Sequence, residues 1–149
     1  SKNYQKQRKK TAFLHRKVQR QRKDYLHVLS KREVENQDII AAEDLKVSNM
    51  KKNHKLAKAV SDAGWRTFLT MLQYKGALYG KTVVLVPPNY TTQTCSVCGY
   101  VMKGEGHLTL KTREWECPNC HTIHHRDTNA ANNILARGIA LLKEQGFRL

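Results

Sequence analysis

Four cysteines carry the most specific chemistry in the chain. They stand as Cys95-x-x-Cys98 and Cys117-x-x-Cys120, with 18 residues between the pairs, the spacing of a four-thiolate zinc site. Each CxxC turn presents two thiolates to one side. Two such turns complete a tetrahedron with Zn–S bonds of about 2.3 Å. Because all four positions are cysteine, no coordination place is left for water or substrate, and the zinc is expected to be structural. A redox CxxC pair is the competing reading, but two pairs in register fit a metal better. Gly99 follows the first pair, where such a knuckle commonly needs positive φ, and Pro118 stiffens the second. His121, His124 and His125 crowd the second pair, and they read as surface or phosphate-contacting histidines in preference to a ligand swap.

Two carboxylates stand at element boundaries. Glu43 closes the apolar run Ile39-Ile40-Ala41-Ala42, and Asp127 opens a helical stretch directly after the second cysteine pair. Each has an ordinary explanation. Glu43 could reach solvent from a strand end, and Asp127 could cap a helix. Strand alternation places Glu43 and Asp44 on opposite faces, with Ile39, Ala41 and Glu43 sharing one. The third feature is positive charge. The chain has 27 Lys and Arg against 12 Asp and Glu, a net +15, and residues 1–35 hold 12 against 3. So +9 of the excess sits in under a quarter of the chain. Such an imbalance favours a polyanion, since each neutralised phosphate releases counterions. The expected contacts are Arg16, Lys17, Arg20 and Lys23 in that first segment; a basic surface kept for solubility is the alternative.

The elements that must position these groups follow from periodicity. Residues 1–35 predict a long basic helix with one thin apolar stripe, Leu14, Val18, Tyr25 and Leu29, buried along one edge. Residues 38–45 predict a short, largely buried strand, and 46–58 a polar, basic loop leading into a helical turn. A second helix is expected over 61–79, capped by Ser61, with Trp65, Phe68, Leu69, Leu72 and Tyr79 on one face and Gly80 as its stop. Lys81–Val86 predicts a strand ended by Pro87-Pro88. The ribbon occupies 91–124, with Leu108–Trp115 as a hairpin arm over the metal. Asp127–Gln145 predicts a last helix with Ala131, Ile134, Leu135 and Leu142 inward. Strands alternating with helices argue for an α/β arrangement interrupted by a small metal-bound insertion. At 149 residues the chain can build one domain with a real core and hardly two. No apolar run approaches the ~18–20 residues that span a membrane, and the basic N-terminus lacks the apolar stretch of a secretory signal. Paired cysteines without an export signal suggest a reducing compartment.

Three ordered segments resemble one family. Glu43-Asp44-Leu45-Lys46-Val47-Ser48-Asn49-Met50 looks like the second nuclease motif of TnpB (OrfB), the transposon-encoded relative of type V CRISPR effectors. Tyr90-Thr91-Thr92-Gln93-Thr94-Cys95-Ser96-Val97-Cys98-Gly99 looks like that family's approach to its zinc ribbon. Arg126-Asp127-Thr128-Asn129-Ala130-Ala131-Asn132-Asn133-Ile134 resembles its third motif, RDxNAAxNI. The likeness extends over essentially the whole chain.

The resemblance implies a partial RNase H-like (RuvC-type) α/β fold over 1–90 and 125–149, with the four-cysteine zinc ribbon inserted at 91–124. It implies a transposon-associated, RNA-guided DNA endonuclease with DNA and a guide RNA from the transposon end as partners, in a prokaryotic cytoplasm at the nucleoid. Glu43 and Asp127 would then be two of the carboxylates that hold catalytic Mg²⁺, because a pair of hard cations about 3.5–4 Å apart wants carboxylate oxygens. The family's first catalytic aspartate and its guide-binding domain have no counterpart in residues 1–149. The chain therefore reads as the C-terminal part of such a protein, and it is not expected to cut by itself. His121, where the family usually has Gly, and His125, where an acidic residue often stands, are smaller departures. A non-cutting zinc-ribbon module that grips nucleic acid, and a truncated regulatory remnant, are the competing functions.

Overall fold

The structure, a computed structural model, describes residues 1–104, 107–109 and 111–147. In chain order the elements are α1 (Lys2–Asn36), β1 (Ile39–Glu43), α2 (Val47–Met50), α3 (His54–Ala63), α4 (Trp65–Tyr79), β2 (Thr82–Val86), β3 (Glu114–Glu116), β4 (Ile123–His125) and α5 (Arg126–Glu144). They form two compact units. One holds residues 1–38 and 47–82; the other holds 39–46 and 83–149.

The first unit is built on α1 against α4. The stripe predicted for α1 does not do the burying. Leu14, Val18 and Tyr25 are 60%, 43% and 65% exposed, and the buried positions are Ser30 and Val34 near the far end. Length explains this: α1 has 35 residues, about 52 Å of helix, whereas the 15 residues of α4 span about 22 Å. Only the last third of α1 is buried, and every residue from Ser1 to Tyr25 is exposed, although Arg22 still pairs with Asp62 of α3. From α4, Leu69, Met71 and Leu72 are buried. Lys75 is buried with them and donates from Nζ to the carbonyl of His27 (2.5 Å) and to Ser30 Oγ (2.8 Å). Burial holds its ammonium pKa below the usual lysine range. Tyr79, assigned to the same face, is exposed.

The single helix expected over 61–79 is two helices. Gly64 adopts φ +63° and ends α3, and the Cβ of any larger residue there would lie 2.9 Å from Leu26 Cδ1. Ser61 therefore sits inside α3. The capping role belongs to Asn53, whose Oδ1 accepts from the Lys55 amide at 3.1 Å. The expected loop over 46–58 holds α2 and the first turn of α3. Gly80 ends α4 with φ +66°, as the sequence predicts.

In the second unit β1 pairs with β2. The Asp44 amide donates to Val86 O (2.9 Å), and, in the first unit, the Thr82 amide donates to Asp38 O (2.9 Å). Both strands thus ascend together, as in a parallel pair whose connection needs a long crossover. Helix α5 packs on β1. The approach is close because Gly138 has no side chain: a Cβ there would meet Ala41 Cβ at 2.7 Å and Val84 Cγ1 at 2.9 Å. The inward face of α5 differs from the one expected. Asn129, Ala130, Asn133, Gly138 and Leu142 are buried, Ile134 is half-buried, and Ala131 and Leu135 are exposed. Hydrophobicity alone misplaces the face because two asparagines turn inward to bond a loop.

Candidate metal centre and carboxylates

The residues after β2 form two knuckles built on the same plan. In the first, the Cys95 amide donates to Tyr100 O (2.8 Å) and the Gly99 amide to Cys95 O (2.9 Å). In the second, the Cys117 amide donates to Thr122 O (3.0 Å) and the His121 amide to Cys117 O (2.9 Å). The residue after each CxxC must turn through positive φ: Gly99 at +76° and His121 at +56°. The sequence expectation holds for Gly99, and the unusual histidine occupies the equivalent turn. Antiparallel β3–β4 carries the second knuckle, with Trp115 opposite His124. The hairpin is thus 114–125 instead of an arm over Leu108–Trp115. Leu108 and Trp115 still join Cys95 and Cys117 in one buried cluster, while Leu110 lies outside the described residues.

The four sulfurs converge, all within 4.8 Å of one another. Cys95 and Cys120 Sγ are 3.6 Å apart, as are Cys98 and Cys117. A zinc tetrahedron with 2.3 Å bonds requires sulfur separations of about 3.8 Å, so the donor set and its spacing fit the ion. The separations are far too long for disulfides. Cys95 and Cys117 are buried and Cys98 is exposed. The thiols differ in their surroundings: burial pushes Cys95 up to about 11, whereas the Asn119 side chain and the Tyr100 backbone bring Cys98 down to about 6. The Thr122 hydroxyl lowers Cys120. His124 is buried, stacks on Trp115 with ring centroids 4.8 Å apart, and places Nε2 3.0 Å from Cys95 Sγ. It is thus an interior partner of a sulfur, where a surface histidine was expected. His121 and His125 are exposed, and His121 Nδ1 lies 2.9 Å from Glu116 Oε1.

Glu43, half-buried at the end of β1, accepts a hydrogen bond on Oε1 from the Thr91 hydroxyl at 2.5 Å. Asp44 is exposed. Asp127 is the second residue of α5, two places after the cap position, which His125 holds. Its carboxylate is bracketed by guanidinium groups: Arg126 Nη2 reaches Oδ1 at 3.2 Å and Arg113 Nη1 reaches Oδ2 at 3.5 Å. Glu43 and Asp127 therefore stand on two elements packed together in one unit. Among the described residues the cysteines are the only set of three or more Cys, His, Asp or Glu whose ligand atoms close to within 4.8 Å. Glu43 and Asp127 belong to no such set among the described residues.

Arg16, Lys17, Arg20 and Lys23 are exposed on α1, and among the described residues none is in an ion pair with an acid. Their offsets of 1, 4 and 7 keep them on one side of the helix. Sequence reasoning missed Thr91, Asn129, Asn133 and Arg113. For the asparagines a signal existed. Asn is a poor helix former because its side chain competes for backbone groups, so two at i and i+4 inside a helix imply bonds made elsewhere.

Fold and site together define a class, an α/β chain carrying a four-cysteine, metal-binding ribbon. The comparisons agree. Residues 65–134 match the family described as Cas12f1-like, TNB domain, and residues 1–54 match OrfB_IS605, described as a probable transposase. The chain belongs to the TnpB (OrfB) family. It is 44% identical over 141 residues to a Streptomyces pristinaespiralis protein named as a candidate RNA-guided DNA endonuclease, covering 94% of this chain and 34% of that one. Escherichia coli K12 InsQ, named in the same way, is 36% identical over 157 residues, covering 95% and 38%. A TnpB-like protein of Methanocaldococcus jannaschii is 34% identical over 107 residues, covering 71% and 46%. Among solved structures, Cas12f1 in a complex with sgRNA and target DNA superposes with a TM-score of 0.64 at 21% identity, covering 83% of this chain and 36% of that one. The chain thus spans about a third of the length of the first two curated relatives. No helix among the described residues is long and apolar enough to cross a membrane.

Proposed function

We propose that this chain is part of a metal-dependent, RNA-guided DNA endonuclease, in which Glu43 and Asp127 are two of the carboxylates that bind catalytic Mg²⁺. Residues 1–90 and 125–149 are the nuclease core and 91–124 the ribbon, whose zinc is structural. The observation that carries the reading is that α5, which bears Asp127, packs on β1, which bears Glu43. Motifs 84 residues apart in sequence thereby reach one unit. The relatives are named as RNA-guided DNA endonucleases, which supports DNA as target and RNA as guide; a guide from the transposon end and action at the prokaryotic nucleoid are part of the proposal. The basic face of α1, with Arg16, Lys17, Arg20 and Lys23, would hold phosphate.

Mg²⁺, when bound, would activate the attacking water and stabilise the leaving oxygen. The chain's own carboxylates would supply hard oxygen ligands. Arg113 and Arg126 hold Asp127 in place and would shield its charge until a cation replaces them. Two carboxylates are too few for a two-ion site, so residues 1–149 alone should not cut. The test is cleavage by the complete, guide-loaded protein in Mg²⁺. Glu43→Ala and Asp127→Ala should each abolish cutting while DNA binding persists, and Asp44→Ala should cut nearly normally. A fully active Asp127→Ala, or Mg²⁺-dependent cutting by residues 1–149 that disappears with Glu43→Ala, would overturn the reading.

A further inference from the structure

The carboxylate of Glu43 and the first cysteine knuckle are joined by a short, fully traceable set of buried and part-buried hydrogen bonds. Thr91 is 3% exposed, and its hydroxyl donates to Glu43 Oε1. Its own carbonyl accepts from Asn133 Nδ2 at 2.9 Å. That same amide nitrogen donates to Thr94 O at 2.6 Å. One turn earlier on α5, Asn129 Nδ2 donates to Thr94 O at 2.7 Å, and Asn129 Oδ1 accepts from the Ser96 amide at 2.8 Å. Asn129 is 2% and Asn133 8% exposed. The loop from Thr91 to Ser96 is therefore clasped to α5 on both sides of Cys95, and its other end holds Glu43.

The placement is informative because it is costly without a role. A buried asparagine amide must find partners for two donors and an acceptor, and leaving one unmade costs about 1–3 kcal/mol. Plain packing of a loop on a helix would use apolar side chains, of the kind α5 buries at Ala130 and Leu142. The clasp instead fixes the loop backbone to hydrogen-bond tolerance. Such tolerance matters where a metal-binding carboxylate must be held within about half an ångström of its working position.

Resting on the assignment of Glu43 as a carboxylate of the nuclease site, we infer that Thr91 is a positioning residue for Glu43 and that the Asn129–Asn133 clasp makes the position of that carboxylate depend on the folded ribbon. Metal at the cysteines orders Cys95; Asn129 and Asn133 hold the residues on either side of it; Thr91 passes that order to Glu43. The ribbon then serves the reaction centre as well as its own fold.

Two measurements test this. The first uses residues 1–149 with ¹³C-labelled glutamate and reads the Glu43 carboxyl resonance at fixed pH, assigned with Glu43→Gln. Thr91→Val should move that resonance, Thr91→Ser should restore it, and chelation of zinc should move it in the direction of Thr91→Val. Asn129→Ala with Asn133→Ala should do the same at one zinc per chain. If that pair also loses zinc, the Thr91→Val and Thr91→Ser pair decides. A resonance unmoved by Thr91→Val overturns the positioning role, and one unmoved by zinc removal overturns the dependence on the ribbon. The second uses the complete guide-loaded protein. Thr91→Val should lower kcat about tenfold or more, the scale of one lost hydrogen bond to a charge. KM for DNA should be unchanged and Thr91→Ser should recover most of the rate, whereas an unchanged kcat overturns the inference. If Glu43→Ala cuts as fast as the parent, the nuclease assignment fails on its own, while the carboxyl resonance still decides whether Thr91 and the clasp hold Glu43.

Discussion

Replacing Gly138 by alanine should destabilise the second unit even though alanine is the better helix former. The added Cβ would lie 2.7 Å from Ala41 Cβ and 2.9 Å from Val84 Cγ1, whereas carbon atoms rest at about 3.5–4.0 Å. Neither neighbour can give way easily. The Ala41 methyl is fixed to the β1 backbone, and a β-branched valine has little χ1 freedom. Helix α5 must then move from β1 by about 1 Å, and overpacking of this kind costs about 1–3 kcal/mol. Alanine returns about 1 kcal/mol in helix propensity. Taking the upper half of the overpacking range, the net loss is about 1–2 kcal/mol, or about 2–8 °C in Tm for a chain of this size. Calorimetry of the zinc-loaded protein reads it directly, and zinc content should stay at one per chain because the cysteines lie elsewhere in the unit. A Tm equal to or above that of the parent would refute the close packing of α5 on β1, and with it the scaffold that brings Asp127 and Glu43 into one unit.

Three further outcomes are expected. Freshly purified, reduced protein should hold close to one zinc per chain by elemental analysis, and Cys117→Ser should lose it together with the folded ribbon. Neutralising Arg16, Lys17, Arg20 and Lys23 together should flatten the dependence of log K on log salt for duplex DNA by up to about 3.6, at 0.9 per phosphate contact; an unchanged slope would place the contact elsewhere. His121→Gly should slow the transfer of zinc to a competing chelator, followed by the chelator's absorbance, and a faster transfer would show that the histidine's link to Glu116 outweighs its backbone strain.

The sequence exposed the site's chemistry more readily than its supports. Cysteine spacing located the metal centre because two CxxC turns admit few other geometries, and Gly99 announced its own positive φ. Asp44 is exposed just past the end of β1 and Glu43 is half-buried at its last residue; alternation predicted opposite faces, not which of the two would meet solvent. The buried edge of α1 was misread because the stripe Leu14–Leu29 is a local pattern, while its burial depends on the length of α4. Gly64 falls inside the helix expected over 61–79; its left-handed turn and its approach to Leu26 became evident only from tertiary contact. The face of α5 was misplaced for a related reason. Periodicity counts apolar residues, and this helix turns Asn129 and Asn133 inward to meet carbonyls 35 to 42 residues earlier in the chain.

The two knuckles share a plan but not an equal ease. Glycine makes the left-handed turn after Cys98 at no steric cost, while His121 makes the matching turn after Cys120 with a Cβ that disfavours it by about 1–2 kcal/mol. The consequence concerns time more than equilibrium. When the ion leaves, the half of the grip with the strained turn should open first, freeing Cys117 and Cys120 while Cys95 and Cys98 still hold. Cys95 and Cys98, the pair beside Asn129, would then be the last to hold the ion, and how long they hold it would decide whether the ribbon recaptures its zinc or surrenders it.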